Sequence, residues 1–377
     1  MKNDVEIKRI HTASDLMAIM MKNDENIVYG AGYMSHILMR NLFYKEIHRL
    51  VLCVAVEDDF VNPTEVYDIP VVALRYLPHF YRTASFYLAL SEKTQNGVID
   101  LLQEKGCKYI YTISDKVFNE LQKEFEDFPA NHIVDLGTRL NLYRASKMER
   151  EVLLQPETVR TNTDTFDSFR EINKGKDVVL LATGPTASEY KKINNAIHLG
   201  VNTSPLLGIP IDYYFAQDNR AFKKKSVNDV IDKCKGEIFI GRIADKVAYS
   251  RTRIDISGIY SPGIHQYFVN NPCMTDDLVK DICKHSLTDY YSIVFAALQF
   301  ALFTSPSKIY IVGCDVSGKL EHFNEKSKTV VSHSKFFKLG YGLFKRFAEI
   351  YYPNIEIVSI NPIGLKGLFE DYYQEVL

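Results

Sequence analysis

The hydrophobic positions of this chain fall into short runs separated by segments of helical periodicity. In the first third, the apolar runs cover 26–29, 50–56, 69–72, 85–90 and 109–111. In the second half they cover 178–182, 197–201, 213–216, 238–241, 308–312 and 355–360. Short apolar runs that alternate with helices are typical of parallel sheets covered by helices on both faces. The pattern therefore predicts an α/β fold made of two Rossmann-like domains with mostly parallel sheets.

The spacing of these runs predicts three segments. We expect a small Rossmann-like Gly-Ala-Gly domain at 1–130, a helical connector and linker at 131–168, and a second α/β domain at 169–377. Within the connector, residues 141–154 fit a helix and residues 156–167 a polar linker. A chain of 377 residues also exceeds what one hydrophobic core usually organises.

Composition narrows the functional classes. The formal net charge of -2 argues against a nucleic-acid-binding surface. The six cysteines form no C-x-x-C pair, so neither a metal site nor a disulfide framework is expected. The N-terminus has no apolar signal segment, and the longest apolar run, Ile293 to Phe303, is too short to span a bilayer. We therefore expect a cytoplasmic protein.

A turn in mid-chain is the first candidate for chemistry. The apolar run at 178–182 breaks into Gly184-Pro185-Thr186, which indicates a buried strand, a tight turn and a helix N-terminus. Such a turn directs backbone N–H groups and the positive end of a helix dipole at a phosphate. It predicts a nucleotide-binding cradle.

Polar residues also follow three other strands of the second domain: Asn202, Gln217-Asp218 and Asp315. Each alone is more often a turn or capping residue, but together they predict one pocket at the carboxyl edge of the sheet. Thr288-Asp289 is expected to cap the apolar helix at 291–303. His333, in Ser-His-Ser-Lys, fits either a general base or a helix-capping residue in solvent.

The first domain carries a weaker candidate. Gly30-Ala31-Gly32 supplies two of the three glycines of a dinucleotide fingerprint, and Ser35 stands where the third would lie. Two interpretations stay open: a second nucleotide site at Gly30 and Gly32, or a structural turn without a ligand.

The second domain resembles the bacterial sialyltransferases of the Campylobacter type, together with the motility-associated flagellin glycosyltransferases and the archaeal hydroxymethylpterin pyrophosphokinase-like domains. The resemblance covers about 176–373. It is carried, in order, by Gly184-Pro185-Thr186, Val201-Asn202, Ser292-Ile293-Val294, Gly313-Cys314-Asp315, His333-Ser334-Lys335 and Ile360-Asn361-Pro362. It implies the GT-A-like variant fold of those sialyltransferases.

The resemblance also implies an activity. The chain would be an inverting glycosyltransferase that needs no metal or other cofactor and moves a sialic-acid-like nonulosonic acid from a CMP-sugar to a hydroxyl of a cell-surface glycan or protein. His333 would be the general base, with Asp315 as a second catalytic residue. The nucleotide would be held by Gly184, Pro185, Thr186, Asn202, Gln217, Asp218, Ser292 and Ser317.

Two departures from the family pattern bear on the donor sugar. The tyrosines that contact the leaving phosphate in the family are replaced here by Val316-Ser317-Gly318. The arginine that the family carries before its long helix falls near Thr288, where this chain has no arginine. The sugar therefore stays open at this point.

Two other functions remain in view. The first is a pterin-type pyrophosphokinase that uses ATP and magnesium, with Asp218 and Asp315 as metal ligands. The second is a non-catalytic scaffold in a polysaccharide-assembly complex. A lesser hypothesis concerns the basic, aromatic segment 334–352, which fits peripheral contact with the inner membrane less well than a core helix. An oligomer is compatible with all of them.

Overall fold

The computed structural model of the chain describes residues 5–57, 62–128, 155–217, 234, 236–243, 263–270, 277–316, 321–322, 325–326 and 334–374. The chain divides into two compact units, Met1–Lys147 and Met148–Leu377. Each unit has its own mostly parallel sheet flanked by helices, so the predicted α/β class is confirmed.

Unit 1 is built on a seven-stranded sheet. Its strands are β1 (Glu6–Ile10), β2 (Asn26–Tyr29), β3 (Val51–Val56), β4 (Glu65–Val66), β5 (Ile69–Ala73), β6 (Ser85–Leu88) and β7 (Tyr109–Ile113). They lie in the order β1-β7-β6-β2-β3-β5-β4, and β4 is antiparallel to β5 while the other pairs are parallel. The helices are α1 (Ala13–Lys22), α2 (Tyr33–Tyr44), α3 (Glu92–Glu104) and α4 (Asp115–Glu126).

Unit 2 is built on an eight-stranded parallel sheet. Its strands are β8 (Asp177–Leu181), β9 (Ile197–Val201), β10 (Tyr213–Ala216), β11 (Glu237–Ile243), β12 (Ile264–Val269), β13 (Lys308–Val312), β16 (Glu356–Ile360) and β17 (Glu370–Tyr372). Their order is β12-β11-β10-β9-β8-β13-β16-β17. A small antiparallel pair, β14 (Glu321–His322) and β15 (Glu325–Lys326), lies outside this sheet. The described helices are α5 (residues 155–166), α6 (Ile293–Phe303) and α7 (Ser334–Tyr351).

Helix α6 forms the centre of the unit 2 core. All eleven of its residues are buried, because it packs on β8, β9 and β10. Its Phe300 ring lies 5.2 Å from the ring of Phe215 and 5.0 Å from that of Phe239. The helix begins two residues later than predicted: its N-cap is Ser292, whose hydroxyl accepts from the Val294 N–H, and the prediction of a Thr288-Asp289 cap was wrong.

The linker prediction for 156–167 was also wrong, because residues 155–166 form helix α5. Three of its polar residues, Thr158, Asn162 and Thr165, are buried. The Asn162 amide donates to the carbonyls of Ile282 and His285 at 3.0 and 2.8 Å and accepts from the Phe268 N–H at 2.9 Å. Polar residues that satisfy backbone groups inside a fold are easily mistaken for a linker. The predicted helix at 141–154 lies outside the described residues.

The predicted strands correspond to β2, β3, β5 to β11, β13 and β16, whereas β1, β4, β12 and β17 of the two large sheets and the small pair β14 and β15 were missed. The four that belong to the large sheets are the edge strands of those sheets, where apolar residues are fewer. Among the described helices, none combines the length and apolar character needed to cross a bilayer. Helix α7 buries Leu339 and Phe344 within unit 2, and its Lys345 ammonium donates to the Leu368 carbonyl at 2.6 Å.

Candidate functional site

The candidate site lies where the strand order of unit 2 changes direction. From β8 the chain proceeds outward through β9, β10, β11 and β12, and then returns to place β13 on the other side of β8. Connections that leave neighbouring strands in opposite directions open a crevice at the carboxyl ends of β8 and β13. The Gly184 turn follows β8, and Asp315 follows β13, so both lie at this crevice.

Asp315 holds the Gly184 turn in place. One carboxylate oxygen accepts from the Thr186 N–H at 2.8 Å, and the other accepts from the Thr186 hydroxyl. The Asp315 side chain is buried, at 5% exposure. Burial raises the pKa of this carboxyl, and the two hydrogen bonds from Thr186 oppose that rise. Asp315 therefore acts on the turn, and its predicted catalytic role stays a prediction.

Only glycine fits at position 184. A Cβ there would lie 2.3 Å from Asp315 Oδ2 and 2.5 Å from the Gly313 carbonyl oxygen. The Gly184 N–H donates to that same carbonyl at 2.8 Å, so the two strand ends are joined by backbone as well as by the carboxylate. The sequence signal for glycine here thus reflects close approach of the β8 and β13 loops.

The turn differs from the predicted cradle. The residues after Gly184 form a 3-10 helix, Pro185–Glu189, instead of an α-helix. The N–H groups of Gly184 and Thr186 are already donated to Gly313 and Asp315, and Pro185 has none. The interpretation of these three residues as a source of free backbone donors was therefore wrong. A phosphate at this turn would need its donors from side chains.

Asn202 supplies one such side chain. It follows β9 in the left-handed conformation, with φ of 49°, and is only partly buried. Its backbone is fixed, because its N–H donates to Phe215 O at 3.3 Å and its carbonyl accepts from the Tyr214 hydroxyl at 2.8 Å. Its side-chain amide makes no hydrogen bond within the described part of the chain. The amide is thus held on a rigid strand end and available to a ligand.

Gln217 follows β10 and lies beside a buried carboxylate. Its amide nitrogen donates to Asp289 Oδ2, and Asp289 Oδ1 accepts from the Tyr291 N–H at 3.0 Å. Asp289 is 2% exposed and lies three residues before Ser292, the predicted nucleotide contact that caps α6. A carboxylate thus occupies the region where the resembling family carries an arginine. Tyr267 of β12, which sequence reasoning missed, lies next to this group.

Three bulky residues, one after β13 and two before α6, have unfavourable backbone conformations. Val316, Tyr290 and Tyr291 have φ of 41°, 39° and 66°, values that β-branched and bulky residues rarely adopt. Such strain persists only where the surrounding structure imposes it, and it is often found at functional sites.

Three predicted site residues, His333, Asp218 and Ser317, lie outside the described residues. His333 directly precedes Ser334, the first residue of α7. Helix α7 is packed tightly against α6, since a Cβ at Gly340 would lie 2.6 Å from the Phe295 ring and 3.1 Å from Tyr290.

The turn of unit 1 also lies at a change of strand order, between β2 and β6. Gly30 has φ of 104°, and a Cβ there would lie 2.8 Å from Leu90 Cδ2. Gly32 is the N-cap of α2, has no side-chain hydrogen bond and faces open space. The fully buried Ser35 takes the place of the third fingerprint glycine. A second nucleotide site at Gly30 and Gly32 stays a prediction.

Within the described ranges, no three His, Cys, Asp or Glu side chains are grouped as a metal site would require. The comparisons with known proteins add little to this geometry. No family model and no curated protein matches the chain. Among solved structures, the C-terminal domain of glucosamine-fructose-6-phosphate aminotransferase from Francisella tularensis aligns with 78% of this chain and 86% of that one, at 10% identity and a TM-score of 0.26. A likeness at that score carries no functional argument.

Proposed function

We propose that the chain is an inverting glycosyltransferase that moves a sugar from a CMP-activated donor to a hydroxyl of a cell-surface glycan or protein, without a metal ion. The observation that carries this proposal is the convergence of the Gly184 turn, Asn202 and Asp315 on one crevice at the strand-order change of unit 2. The order of these residues along the chain agrees with the resemblance to bacterial sialyltransferases. We take the sugar to be a sialic-acid-like nonulosonic acid on the basis of that resemblance.

The reaction is a displacement at the anomeric carbon. The acceptor oxygen forms the new bond to that carbon, while the carbon–oxygen bond to the donor phosphate breaks and its electron pair leaves with CMP. The acceptor hydroxyl proton goes to His333, because a neutral imidazole titrates near physiological pH. The charge that grows on the phosphate is met by side-chain donors, and the amide of Asn202 at the end of β9 is one of them.

Asp315 has a positioning role in this proposal. Its two oxygens accept hydrogen bonds from Thr186, and these bonds fix the turn against β13. The pyrophosphokinase alternative would use the same carboxylate as a magnesium ligand, through the lone pairs that the Thr186 bonds leave unused.

The nucleotide class is tested by thermal denaturation of the purified chain. We expect CMP in the presence of EDTA to raise the denaturation midpoint, and ATP with magnesium to leave it unchanged. The reverse pattern would support the pyrophosphokinase instead. Stabilisation by neither nucleotide would favour the non-catalytic scaffold.

The catalytic step is tested by His333→Ala. Loss of a general base typically costs about a hundredfold or more in rate. We therefore expect sugar transfer or donor hydrolysis from CMP-sugars to fall by that factor while CMP binding is retained. The matched control is His11→Ala, an exposed histidine of unit 1, which should leave both unchanged. Full activity in His333→Ala would exclude this mechanism.

Location is part of the proposal. We place the protein in the cytoplasm, with peripheral contact at the inner face of the membrane where lipid-linked acceptors lie. Helix α7 buries Leu339 and Phe344 inside unit 2, so these two side chains take no part in that contact. Liposome sedimentation that leaves all protein in the supernatant would remove the membrane contact from the proposal.

A further inference from the structure

Of the buried polar atoms of unit 2 that make no hydrogen bond within the described part of the chain, two belong to residues of β12 and of the end of β10. They are the amide oxygen of Gln217, at the end of β10, and the hydroxyl of Tyr267, in β12. Both lie next to Gly241 of β11, where a Cβ would be 2.8 Å from the Tyr267 hydroxyl and 3.3 Å from Gln217 Cγ. The Tyr267 hydroxyl and the Gln217 side chain therefore lie side by side next to Gly241.

An enclosed polar group without a partner costs about 1–3 kcal/mol, so two of them side by side need an explanation. The orientation of the Gln217 amide is not interchangeable. Its nitrogen donates to the Asp289 carboxylate, and the flipped amide would set an oxygen against that carboxylate. The unpartnered atom is thus a hydrogen-bond acceptor.

The groups around Gln217 and Tyr267 are unsuited to binding an anion. Gln217 offers an acceptor, Tyr267 a hydroxyl that donates or accepts, and Asp289 a buried negative charge beside them. Burial, with a further contribution from Asp289, raises the pKa of Tyr267, so its hydroxyl stays neutral. A ligand hydroxyl or amide N–H would satisfy the point, and a carboxylate would be repelled.

The group is held rigidly. Asp289 accepts the Ser292 N–H on its backbone carbonyl at 2.6 Å, and the preceding Thr288 hydroxyl donates to Asp277 O at 2.7 Å. The next two residues, Tyr290 and Tyr291, are both in the left-handed conformation. A rigid group of this kind is suited to selecting between ligands, because little order is lost on binding.

We propose that Gln217, Tyr267 and Asp289 form a specificity subsite that binds a hydroxyl or acylamino N–H of the transferred sugar and rejects a carboxylate at that point. The proposal rests on the proposed function and names which part of the donor this edge of the site recognises. In a nonulosonic acid donor, the polyhydroxyl or acylamino end would lie here, with the carboxylate directed elsewhere.

The test compares two probes on the full chain by calorimetry: CMP, and CMP-N-acetylneuraminic acid. Tyr267→Phe removes only the hydroxyl, so we expect unchanged CMP affinity and about three- to tenfold weaker binding of the CMP-sugar, the loss of roughly one hydrogen bond. The control is Tyr87→Phe, a buried tyrosine of unit 1 whose hydroxyl accepts from the Asn23 amide at 2.9 Å. It should change neither affinity.

The outcomes separate the two proposals. If Tyr267→Phe weakens the binding of both probes equally, or of neither, the subsite is overturned, but the proposed function is not. Tyr267→Phe could also lower the denaturation midpoint without changing the ratio of the affinities for CMP and the CMP-sugar. That result would mean that an ordered water satisfies the Tyr267 hydroxyl, and it would also overturn the subsite. Wild-type protein that binds neither probe would contradict the proposed function, and the subsite with it.

Discussion

The two units have a glycine turn at the same topological place but use it differently. In unit 1 the turn follows β2 at the change of strand order, and a Cβ at Gly30 would meet Leu90. In unit 2 the turn follows β8 at the equivalent place, and a Cβ at Gly184 would meet Asp315. One turn packs against an apolar side chain, and the other is clamped by a buried carboxylate.

The helix ends of unit 1 sharpen this difference. The N-termini of α3 and α4 exchange caps, since the Glu92 N–H donates to Asp115 and the Asp115 N–H to Glu92 at 3.1 and 3.0 Å. The first N–H of α1 is taken by Glu120 at 2.8 Å. Of the four helices described there, α2 at Gly32 is the one without a side-chain or carboxylate cap among the described residues. The turn of unit 1 is therefore followed by a helix N-terminus that no side chain caps, whereas the Gly184 and Thr186 N–H groups of the unit 2 turn are already donated.

The largest effect is expected from Gly184→Ala. The added Cβ would overlap both Asp315 Oδ2 and a backbone oxygen, and the backbone cannot rotate away as a side chain can. We expect unit 2 to lose about 3 kcal/mol of unfolding free energy, at the upper end for overpacking, together with CMP binding. Hydrogen exchange of the β8 and β13 amides measures the loss. Gly32→Ala, which adds a Cβ in open space, is the control. If the β8 and β13 amides of Gly184→Ala exchange as slowly as in the wild type, the close contact between Gly184 and Asp315 does not constrain the turn.

Asp315→Asn should cost about 2 kcal/mol in unit 2, because the amide retains one acceptor and sets an NH2 group against a Thr186 donor. Urea denaturation followed by exchange in the same strands measures it. If the variant keeps its stability but loses more than a hundredfold of transfer activity, Asp315 is a catalytic residue instead of a positioning one.

Gly30→Ala should cost about 1–2 kcal/mol, because φ of 104° disfavours any side chain and Leu90 must move. The loss should be confined to exchange of the β2 and β6 amides, with CMP affinity unchanged. A large drop in CMP affinity would move the nucleotide site to unit 1 and reverse the comparison.

The smallest expected effect is the contribution of Asp315 to the pH dependence of the unfolding free energy. Since the pKa of Asp315 is raised in the folded protein, its contribution to stability is present below the ordinary value of about 3.9 and is lost as pH rises through the folded pKa. Wild type should therefore gain stability relative to Asp315→Asn as pH falls from 7 toward 4.5. Midpoints of urea denaturation along that series test the sign, and a gap that narrows on acidification would contradict it.

Local patterns predicted the fold well, and long-range contacts explain where they failed. Buried strands such as β8 and β13 follow from unbroken apolar runs. The turn at Gly184 follows β8 as predicted, but its Thr186 N–H is not free, because it donates to a carboxylate 129 residues away in sequence. Tyr267 was missed since nothing in its strand marks an unpartnered hydroxyl. Asp289 was taken for a cap because it stands just before an apolar helix.

The most direct test of the account is a crystal structure of the chain soaked with CMP. We predict nucleotide density at the carboxyl ends of β8 and β9, with the Asn202 amide in contact and the Thr186 to Asp315 bonds intact. Density at the Gly30 turn of unit 1 instead, or no bound nucleotide at either turn, would contradict it.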